Sequence, residues 1–410
     1  MKKITVAVCL TAVISAFAQW GGGMGGGGFG GPQSGGNKME YSEKFADVNY
    51  AGDGKTYHAM DIYLPKEAKD SYPVVVHTYG SAWSMNNSKG SADLNTICAA
   101  LLKAGYAVVT PNHRSASDAI YPAQLHDLKA VVRYLRGNAS KYKIDTSFIA
   151  MSGFSSGGHL SSLVATTCGL KEGKSGSVTV DLEGDLGSFT SFSSCIDAAT
   201  LWSPPTDIYT MNPINNFMGS GTYEGAFIGA EREGNKDKWM VASSPYYASE
   251  DDAPTILFHG TADQIVNPEQ SKELYDSLQQ YKVKSELVSV PGGTHGGNEM
   301  YSSENLGKMT SFFDEVRKAK AEKADSSSDE TTRFIANMNV SRFDVKLEGN
   351  KLRVYGTEMC RYKIYSIDGA YASRGLIQNQ LDLSGLSPGI YGIVVTLPSG
   401  EQKNLKFVRK

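Results

Sequence analysis

Ser155 has the sequence context of a serine nucleophile. It is the central residue of Gly-Phe-Ser-Ser-Gly at 153–157, after an apolar run at 148–151 and before a helical pattern that begins at Gly158. A tight strand-to-helix turn of this kind holds the serine in a strained backbone conformation, and small neighbours let other chain segments pass close by. Free N–H groups at the start of the helix favour negative charge beside the serine. The segment therefore predicts a nucleophile at the carboxyl end of a buried strand.

A second copy of the same five-residue pattern is an internal control. Residues 385–389 read Gly-Leu-Ser-Pro-Gly, and Ile-Tyr-Gly-Ile-Val-Val follows at 390–395. Pro388 has no N–H to donate to an oxyanion, and the pattern that follows is that of a strand rather than a helix. This copy is predicted to be a turn.

The serine needs a base to take its proton, and His295 is the predicted base. In an α/β fold with the nucleophile at a strand-to-helix turn, the chain order is serine, carboxylate, histidine, so the histidines after Ser155 are the candidates. His295 lies in a glycine-rich loop after the last predicted strand. Such a loop can carry an imidazole to the carboxyl-terminal edge of the sheet. His159 and His259 are interpreted as structural, the latter as a support for the loop that carries the acid.

Two aspartates are candidates for the acid that orients the imidazole. Asp263 follows the predicted strand 254–258, and Asp207 follows the preceding strand 196–202. The chain order favours Asp263, because it lies one strand before the histidine loop. Each carboxylate also fits the role of an ordinary loop cap.

Backbone N–H groups are predicted to hold the oxyanion of a tetrahedral intermediate. One belongs to Ser156, the residue after the nucleophile. The loop after the buried strand 73–79 is predicted to supply the others, from Ser81 and Ala82. An ordinary turn is the alternative for this loop, and its place in the chain order favours the donors.

Trp83 and Trp202 flank strand ends near the predicted site. An indole ring there fits a substrate-binding role, stacked on a sugar or on an aromatic acyl group, and packing at the rim of the site fits equally well.

Composition excludes several other classes of function. The 410 residues carry a net charge of −3, which gives no electrostatic case for nucleic-acid binding. The chain has no His/Cys cluster with zinc spacing, and neither a metal nor a cofactor is expected.

Cys168 and Cys195 bracket a polar, Gly/Ser-rich insertion, so a disulfide that joins the two ends of the insertion is predicted, with two buried thiols as the alternative.

The N-terminus predicts export. Residues 1–18 contain two lysines, an apolar run and Ala-Phe-Ala before Gln19, which is the pattern of a signal peptide with its cleavage site. The run is too short to span a bilayer, which takes about 20 residues, and no other segment is apolar enough. The mature protein is thus expected to be secreted or at the cell surface. Residues 19–38 are mostly glycine and predict a flexible linker.

The rest of the sequence predicts two domains joined by a linker. Residues 39–320 alternate strand and helix patterns, which predicts an α/β fold with a mostly parallel sheet covered on both faces. Residues 321–332 are charged and serine-rich and are interpreted as a linker. Residues 333–410 show short alternating strands and predict a small all-β module.

Several segments of 39–320 together resemble the feruloyl-esterase and acetyl-xylan-esterase-like branch of the α/β-hydrolases, which is related to the hormone-sensitive-lipase group. Tyr79-Gly80-Ser81-Ala82-Trp83 resembles the His-Gly-Gly-Gly-Trp loop, with Tyr79 in the histidine place and Ser81 and Ala82 in glycine places. Residues 153–160 resemble Gly-x-Ser-Ala-Gly-Gly-His-Leu, with Ser156 in place of alanine. Matching segments also occur at 121–135, 203–207, 259–263 and 293–296.

The resemblance implies a secreted serine carboxylic-ester hydrolase with the α/β-hydrolase fold. It would act through Ser155, His295 and Asp263 and an acyl-enzyme, without a cofactor. The implied partner is a small ester or an esterified plant cell-wall polysaccharide, with acetyl xylan esterase or feruloyl esterase activity in polysaccharide degradation. The sequence leaves the acyl group, the polysaccharide and the oligomeric state open.

The C-terminal module is similar to the sorting modules of type IX secretion, and the secretion machinery is then an expected partner. The similarity lies in residues 354–356, 363–369 and 386–391 and in the basic end. A plain accessory β-domain is the alternative.

Two other functions compete with the esterase. A peptidase of the prolyl-oligopeptidase type is disfavoured, because only a short leader is expected before the hydrolase domain and a gating propeller would not fit there. A glycan-binding protein on an inactive hydrolase scaffold is disfavoured by the complete set of serine, histidine and aspartate in the sequence.

Overall fold

The computed structural model describes residues 38–90, 93–215, 220–334, 344–355, 360–367, 371–377, 379–396 and 402–409. The predicted signal peptide (1–18) and the glycine-rich linker, apart from Lys38, lie outside these residues. So do Gly356 and residues 368–369 of the sorting-like segments. Within the described chain, no helix is both long and apolar enough to cross a membrane.

An eight-stranded sheet forms the N-terminal part of the molecule, in the order β1-β2-β4-β3-β5-β8-β9-β10. β1 pairs antiparallel with β2 and β2 with β4, and the other neighbours pair in parallel. The prediction of a mostly parallel sheet is thus confirmed. The strands of this sheet are β1 (Glu43–Asn49), β2 (Ala59–Leu64), β3 (Tyr72–Thr78), β4 (Ala107–Pro111), β5 (Ile144–Phe154), β8 (Ala198–Trp202), β9 (Thr255–Gly260) and β10 (Ser285–Val290).

Both faces of the sheet are buried. Along β3, Val74 and Val76 lie in one hydrophobic core, and Val75 lies in the core on the other face. This alternation follows from the two-residue period of a strand, and continuous valine runs are typical of parallel strands covered on both sides. The α-helices are α1 (Ala99–Lys103), α2 (Ala123–Gly137), α3 (Ser156–Thr166), α4 (Tyr223–Ile228), α5 (Lys236–Met240), α6 (Glu269–Gln280) and α7 (Ser303–Phe334).

A disulfide between Cys168 and Cys195 joins the two ends of the insertion between α3 and β8, and the two Cα atoms are 4.8 Å apart. The predicted pairing is therefore present. The insertion contains a hairpin of β6 (Glu172–Ser175) and β7 (Val178–Asp181), which the sequence analysis did not predict.

The last helix differs from the prediction. Residues 321–332 were expected to be a linker, but α7 continues through them to Phe334. Alanine, glutamate and lysine favour a helix and serine, threonine and aspartate are only modestly unfavourable in one, so a helix that is already anchored upstream can continue through this segment. The anchor is the apolar face around Met309, Phe312 and Phe313, which is buried in the sheet's second core.

The C-terminal residues form antiparallel β structure, as predicted. One sheet has the order β11-β12-β15 and another the order β14-β13-β16-β17. Residues 385–388 form a turn that leads into β16 at Gly389, which agrees with the interpretation of the second Gly-x-Ser-x-Gly copy. The strands are β11 (Asp344–Glu348), β12 (Lys351–Tyr355), β13 (Cys360–Ser366), β14 (Tyr371–Ile377), β15 (Gln380–Asp382), β16 (Gly389–Thr396) and β17 (Gln402–Arg409).

Ion pairs connect this module to the catalytic part of the chain. Asp251, just before β9, pairs with Lys363 of β13 and, at 3.0 Å, with Arg374 of β14. Glu250 pairs with Arg361 at 3.0 Å. The Asp251–Arg374 pair is largely buried, so loss of either partner would leave an uncompensated buried charge.

Candidate active site

Ser155 occupies the sharp turn between β5 and α3. Its backbone has φ 52° and ψ −124°, a conformation that non-glycine residues rarely adopt. The Ser155 N–H donates to the carbonyl of Trp202 at the end of β8, 2.8 Å away. The side chain therefore stands at the carboxyl edge of the parallel strands, held by the neighbouring strand.

Glycines allow this turn to pack against the end of β3. A Cβ atom at Gly157 would lie 2.2 Å from the carbonyl oxygen of Thr78, and one at Gly153 would lie 2.3 Å from the carbonyl oxygen of Gly157. Neither distance leaves room for a side chain. The close approach expected from the sequence at these glycines is thus observed.

The structure brings Ser155, His295 and Asp263 together. His295 Nε2 lies 2.9 Å from Ser155 Oγ, and His295 Nδ1 lies 2.8 Å from Asp263 Oδ2. Both distances are within hydrogen-bond range. With Nδ1–H donating to the carboxylate, Nε2 is left to accept the serine proton. The three residues come from the ends of β5, β9 and β10, so the chain folds them to one edge of the sheet.

The Asp263 carboxylate is buried and held on both oxygens. Oδ1 accepts the N–H groups of Ile265 and Val266, each at 2.9 Å. Burial by itself would raise the pKa of Asp263, but the neighbouring imidazoles of His295 and His259 outweigh it and hold the pKa well below its usual range. The group is therefore a carboxylate at neutral pH.

His259 supports the acid loop, as the sequence analysis proposed. Its Nε2 lies 2.9 Å from the carbonyl oxygen of Val266 and 3.3 Å from Asp263 Oδ2, and its Nδ1 lies 2.6 Å from Ser271 Oγ. Nε2–H can donate to the first two groups, while Nδ1 accepts from the Ser271 hydroxyl. The ring thereby ties the loop to α6.

Asp207, the rival acid, caps its own loop. Its Oδ1 accepts the N–H of Tyr209 at 3.0 Å and that of Thr210 at 3.3 Å. This is the loop-cap role that short carboxylates often have. The carboxylate that meets the imidazole is that of Asp263.

The loop after β3 lies directly against the nucleophile. A Cβ atom at Gly80 would be 2.8 Å from Ser155 Cβ, which places the loop backbone beside the reacting hydroxyl. One predicted oxyanion donor is engaged elsewhere, because the Ser81 N–H donates to Ser156 Oγ at 2.8 Å. The prediction that the Ser81 N–H is an oxyanion donor is therefore wrong, because this N–H is already bonded within the protein. The N–H groups of Ala82 and Ser156 remain the predicted donors.

The structure does not expose either predicted substrate-binding tryptophan. Trp83 is 2% exposed and stacks on Phe227, with the ring centroids 4.8 Å apart. Trp202 is 0% exposed and stacks on Phe258 at 4.0 Å. Since a sugar needs an open ring face, the stacking prediction is corrected for both residues, and packing is the observed role.

His159 is structural, as interpreted. Trp83 Nε1–H donates to His159 Nδ1 at 3.2 Å, and His159 Nε2 lies 2.8 Å from the carbonyl oxygen of Ala242, to which it donates. Burial lowers the pKa of His159 to about 4. The ring is therefore neutral and connects the loop after β3 to the segment after α5.

A second serine, histidine and aspartate set was missed by the sequence analysis. His77 Nδ1 lies 3.1 Å from Ser152 Oγ, and His77 Nε2 lies 3.1 Å from Asp93 Oδ2. No local sequence pattern pairs these residues, because the register of β3 against β5 is what places His77 beside Ser152. Ser152 and His77 are each 0% exposed, so no substrate carbonyl can reach this hydroxyl. The set joins strands and does not form a second active site.

Within the part of the chain that the structure describes, no group of three or more His, Cys, Asp or Glu side chains is arranged to hold a metal ion. The chemistry available at the Ser155 edge is attack by an activated hydroxyl on a carbonyl, with backbone N–H groups beside it.

The chain matches the BD-FAE family over residues 60–278, more than half of its length. It is similar to a solved structure described as a truncated form of a carbohydrate esterase from gut microbiota, with 41% identity and a TM-score of 0.64, over 70% of this chain and 99% of that chain. It is also similar to a bifunctional GH43-CE protein of Bacteroides eggerthii, with 43% identity and a TM-score of 0.63, over 67% of this chain and 35% of that one. These similarities confirm the predicted α/β-hydrolase fold.

Curated relatives are more distant. A probable carboxylic ester hydrolase, LipM, of Mycobacterium tuberculosis is 26% identical over 236 residues, which are 57% of this chain and 51% of LipM. The chain spans about half the length of the curated relatives it matches.

Proposed function

Since the chain belongs to the BD-FAE family of carboxylic ester hydrolases, we propose that it removes acyl groups from esterified plant cell-wall polysaccharide, with Ser155, His295 and Asp263 as its catalytic triad. The observation that carries the proposal is the unbroken pair of contacts, 2.9 Å from Ser155 Oγ to His295 Nε2 and 2.8 Å from His295 Nδ1 to Asp263 Oδ2. Those contacts supply the nucleophile, the general base and the orienting acid of acyl transfer.

In the first half of the reaction, Ser155 Oγ attacks the ester carbonyl while its proton passes to His295 Nε2. Asp263 accepts the Nδ1–H bond and balances the charge of the imidazolium. The Ala82 and Ser156 N–H groups hold the tetrahedral oxyanion. The C–O bond to the sugar then breaks, and the imidazolium gives its proton to the departing alcohol oxygen, which leaves an acyl-enzyme.

In the second half, water takes the place of the sugar alcohol. His295 removes a proton from the water, and the hydroxide attacks the acyl carbonyl. The second tetrahedral intermediate collapses, Ser155 Oγ recovers its proton from the imidazolium, and the free carboxylic acid departs. The cycle consumes one water for each ester bond and needs no cofactor.

The carbohydrate assignment is supported by two solved relatives of more than 40% identity, one described as a carbohydrate esterase and the other as a GH43-CE protein. The acyl groups that we propose are acetyl and feruloyl. A panel of acetylated xylan against methyl ferulate decides between them, with Ser155→Ala as the control. Release of acid from at least one of them, lost in the variant, supports the proposal. Hydrolysis of neither by a protein that fluorophosphonate still labels at Ser155 contradicts the carbohydrate esterase and favours the peptidase.

We further propose that residues 1–18 direct export and that the C-terminal module engages a secretion machinery of the type IX kind. The support is the sequence pattern alone. In a host with that machinery, deletion of residues 344–410 should keep the esterase from reaching the medium or the cell surface. Unchanged export of the truncated chain contradicts the role of the module.

A further inference from the structure

The side chain of Ser156 joins the nucleophile helix to the loop after β3. Its Oγ accepts the N–H of Ser81 at 2.8 Å, across 75 positions of sequence. Both residues are 1% exposed, so water does not compete for this bond. Ser156 is also the first residue of α3, directly after Ser155. The bond therefore spans the two segments that carry the predicted oxyanion donors.

The loop needs such a restraint because its backbone is strained. Ala82 has φ 48° and Trp83 has φ 56°, the left-handed region that residues with a Cβ rarely adopt. Strain of this kind persists only where the surroundings enforce it. On the carbonyl side of Ser81, the N–H and the hydroxyl of Ser84 donate to its oxygen, at 3.0 and 2.6 Å. On the N–H side, the bond is the one to Ser156.

We propose that the Ser156 hydroxyl is a positioning group of the oxyanion site: by holding the Ser81 peptide it fixes the distance and angle between the Ala82 N–H and the Ser156 N–H. The inference rests on the proposed function, because the donors act only when a tetrahedral oxyanion forms. Two donors supplied by separate segments stabilise that oxyanion only while the segments keep one relative position. The hydroxyl sets that position from the nucleophile's own helix.

The role requires a kinetic signature that differs from loss of folding. The bond between the Ser81 N–H and Ser156 Oγ is not itself a contact to the substrate's ground state, so removal of the hydroxyl should act on kcat rather than on KM. A shift of the donors by a fraction of an ångström to an ångström is enough to cost up to about a hundredfold in rate.

The test uses three variants of the full chain. Ser156→Ala removes the hydroxyl, and Ser156→Thr keeps it. Ser161→Ala is the matched control, because Ser161 lies on the same helix, is equally buried and donates to the carbonyl of Ser152 at 3.2 Å. The readouts are kcat and KM on p-nitrophenyl acetate, the melting temperature, and the second-order rate of phosphonylation by a fluorophosphonate, whose transition state places a phosphoryl oxygen among the same donors.

Ser156→Ala is expected to lower both kcat and the phosphonylation rate by about ten- to a hundredfold, with KM within about twofold. Ser156→Thr should recover most of the loss, and Ser161→Ala should match the wild type. The inference is overturned if Ser156→Ala keeps both rates within about twofold, or if Ser161→Ala loses as much.

The two rates separate this inference from the proposed function. If the wild type hydrolyses no ester but is phosphonylated at Ser155, the ester assignment fails, and the phosphonylation ratio of wild type to Ser156→Ala still decides the role of the hydroxyl. If Ser155 is not labelled in the wild type, both are refuted.

Discussion

Replacing Asp263 by asparagine should abolish most of the activity while it preserves the loop. In the wild type, Oδ1 accepts the N–H groups of Ile265 and Val266, and Oδ2 faces His295 Nδ1 at 2.8 Å. Asparagine keeps its carbonyl oxygen toward the two backbone donors, so its amide nitrogen takes the place of Oδ2. The imidazole then has to accept at Nδ1, and its proton moves to Nε2.

That tautomer cannot act as the base. Nε2–H would point at Ser155 Oγ, 2.9 Å away, where an unprotonated nitrogen is needed. The charge that balances the imidazolium is lost as well. The wrong tautomer of a catalytic triad typically lowers kcat by about 10⁴-fold, which corresponds to about 5 kcal/mol in the activation free energy.

Asp207→Asn is the matched control. The Asp207 carboxylate caps its own loop through a single oxygen, Oδ1, and asparagine can supply the same acceptor. Steady-state hydrolysis of p-nitrophenyl acetate should therefore show a fall of about 10⁴-fold in kcat for Asp263→Asn and a change of less than about twofold for Asp207→Asn. A circular dichroism melt of each variant separates loss of catalysis from loss of folding.

The reasoning is refuted if folded Asp263→Asn keeps more than about a tenth of the wild-type kcat. A greater loss in Asp207→Asn than in Asp263→Asn would assign the acid to the other loop. Either result would mean that the contact between Asp263 and His295 does not orient the base.

Three other perturbations have defined outcomes. Trp83→Phe keeps an aromatic ring but removes the N–H that His159 accepts, so urea unfolding should show a loss of about 1–2 kcal/mol in the free energy of unfolding. The ratio of activities on acetyl and feruloyl esters should stay as in the wild type, and a changed ratio would indicate that Trp83 contacts the substrate. Burial raises the pKa of Glu224 from 4.5 to about 7, so folding takes up a proton in that interval and wild-type stability falls as the pH rises through it. Glu224→Gln should lack that fall in melting temperature, and an identical pH slope would contradict the burial effect. Asp251→Asn removes the charge partner of Arg374, so limited proteolysis should release the C-terminal module at least about threefold faster, and an unchanged rate would show that the pair does not hold the module.

The meeting of Ser155, Asp263 and His295 could be predicted because the chain order constrains it. Parallel strands place their carboxyl ends at one edge, so residues that follow β5, β9 and β10 converge there even though they are far apart in sequence. The patterns of the inner strands β3, β4, β8 and β9 were strong, since these strands are buried along their whole length and are largely apolar.

Side-chain burial at the rim of the site could not be predicted in the same way. A tryptophan after a strand fits an exposed rim or a closed core equally well. The outcome depends on Phe227 and Phe258, which stack on Trp83 and Trp202 and come from other segments of the chain. The sequence contains no local signal for that pairing.

Local sequence patterns also could not predict the hydrogen bond between the Ser81 N–H and Ser156 Oγ. It joins a loop to a helix across 75 positions, and its existence depends on how closely the loop after β3 approaches the nucleophile turn.

The extension of α7 through 321–332 was missed for a different reason. The charged, serine-rich composition of that segment is typical of a linker. A helix that is anchored by buried residues upstream can nevertheless continue through a segment whose own helix propensity is weak.

The most direct test of the account is to follow esterase activity while a fluorophosphonate reacts with the protein, and then to map the label by peptide mass spectrometry. The account predicts that the label is on Ser155 and that hydrolysis of p-nitrophenyl acetate disappears in proportion to the labelled fraction. Activity that survives complete labelling of Ser155, or its loss with the label on another residue, would contradict the claim that this hydroxyl is the nucleophile.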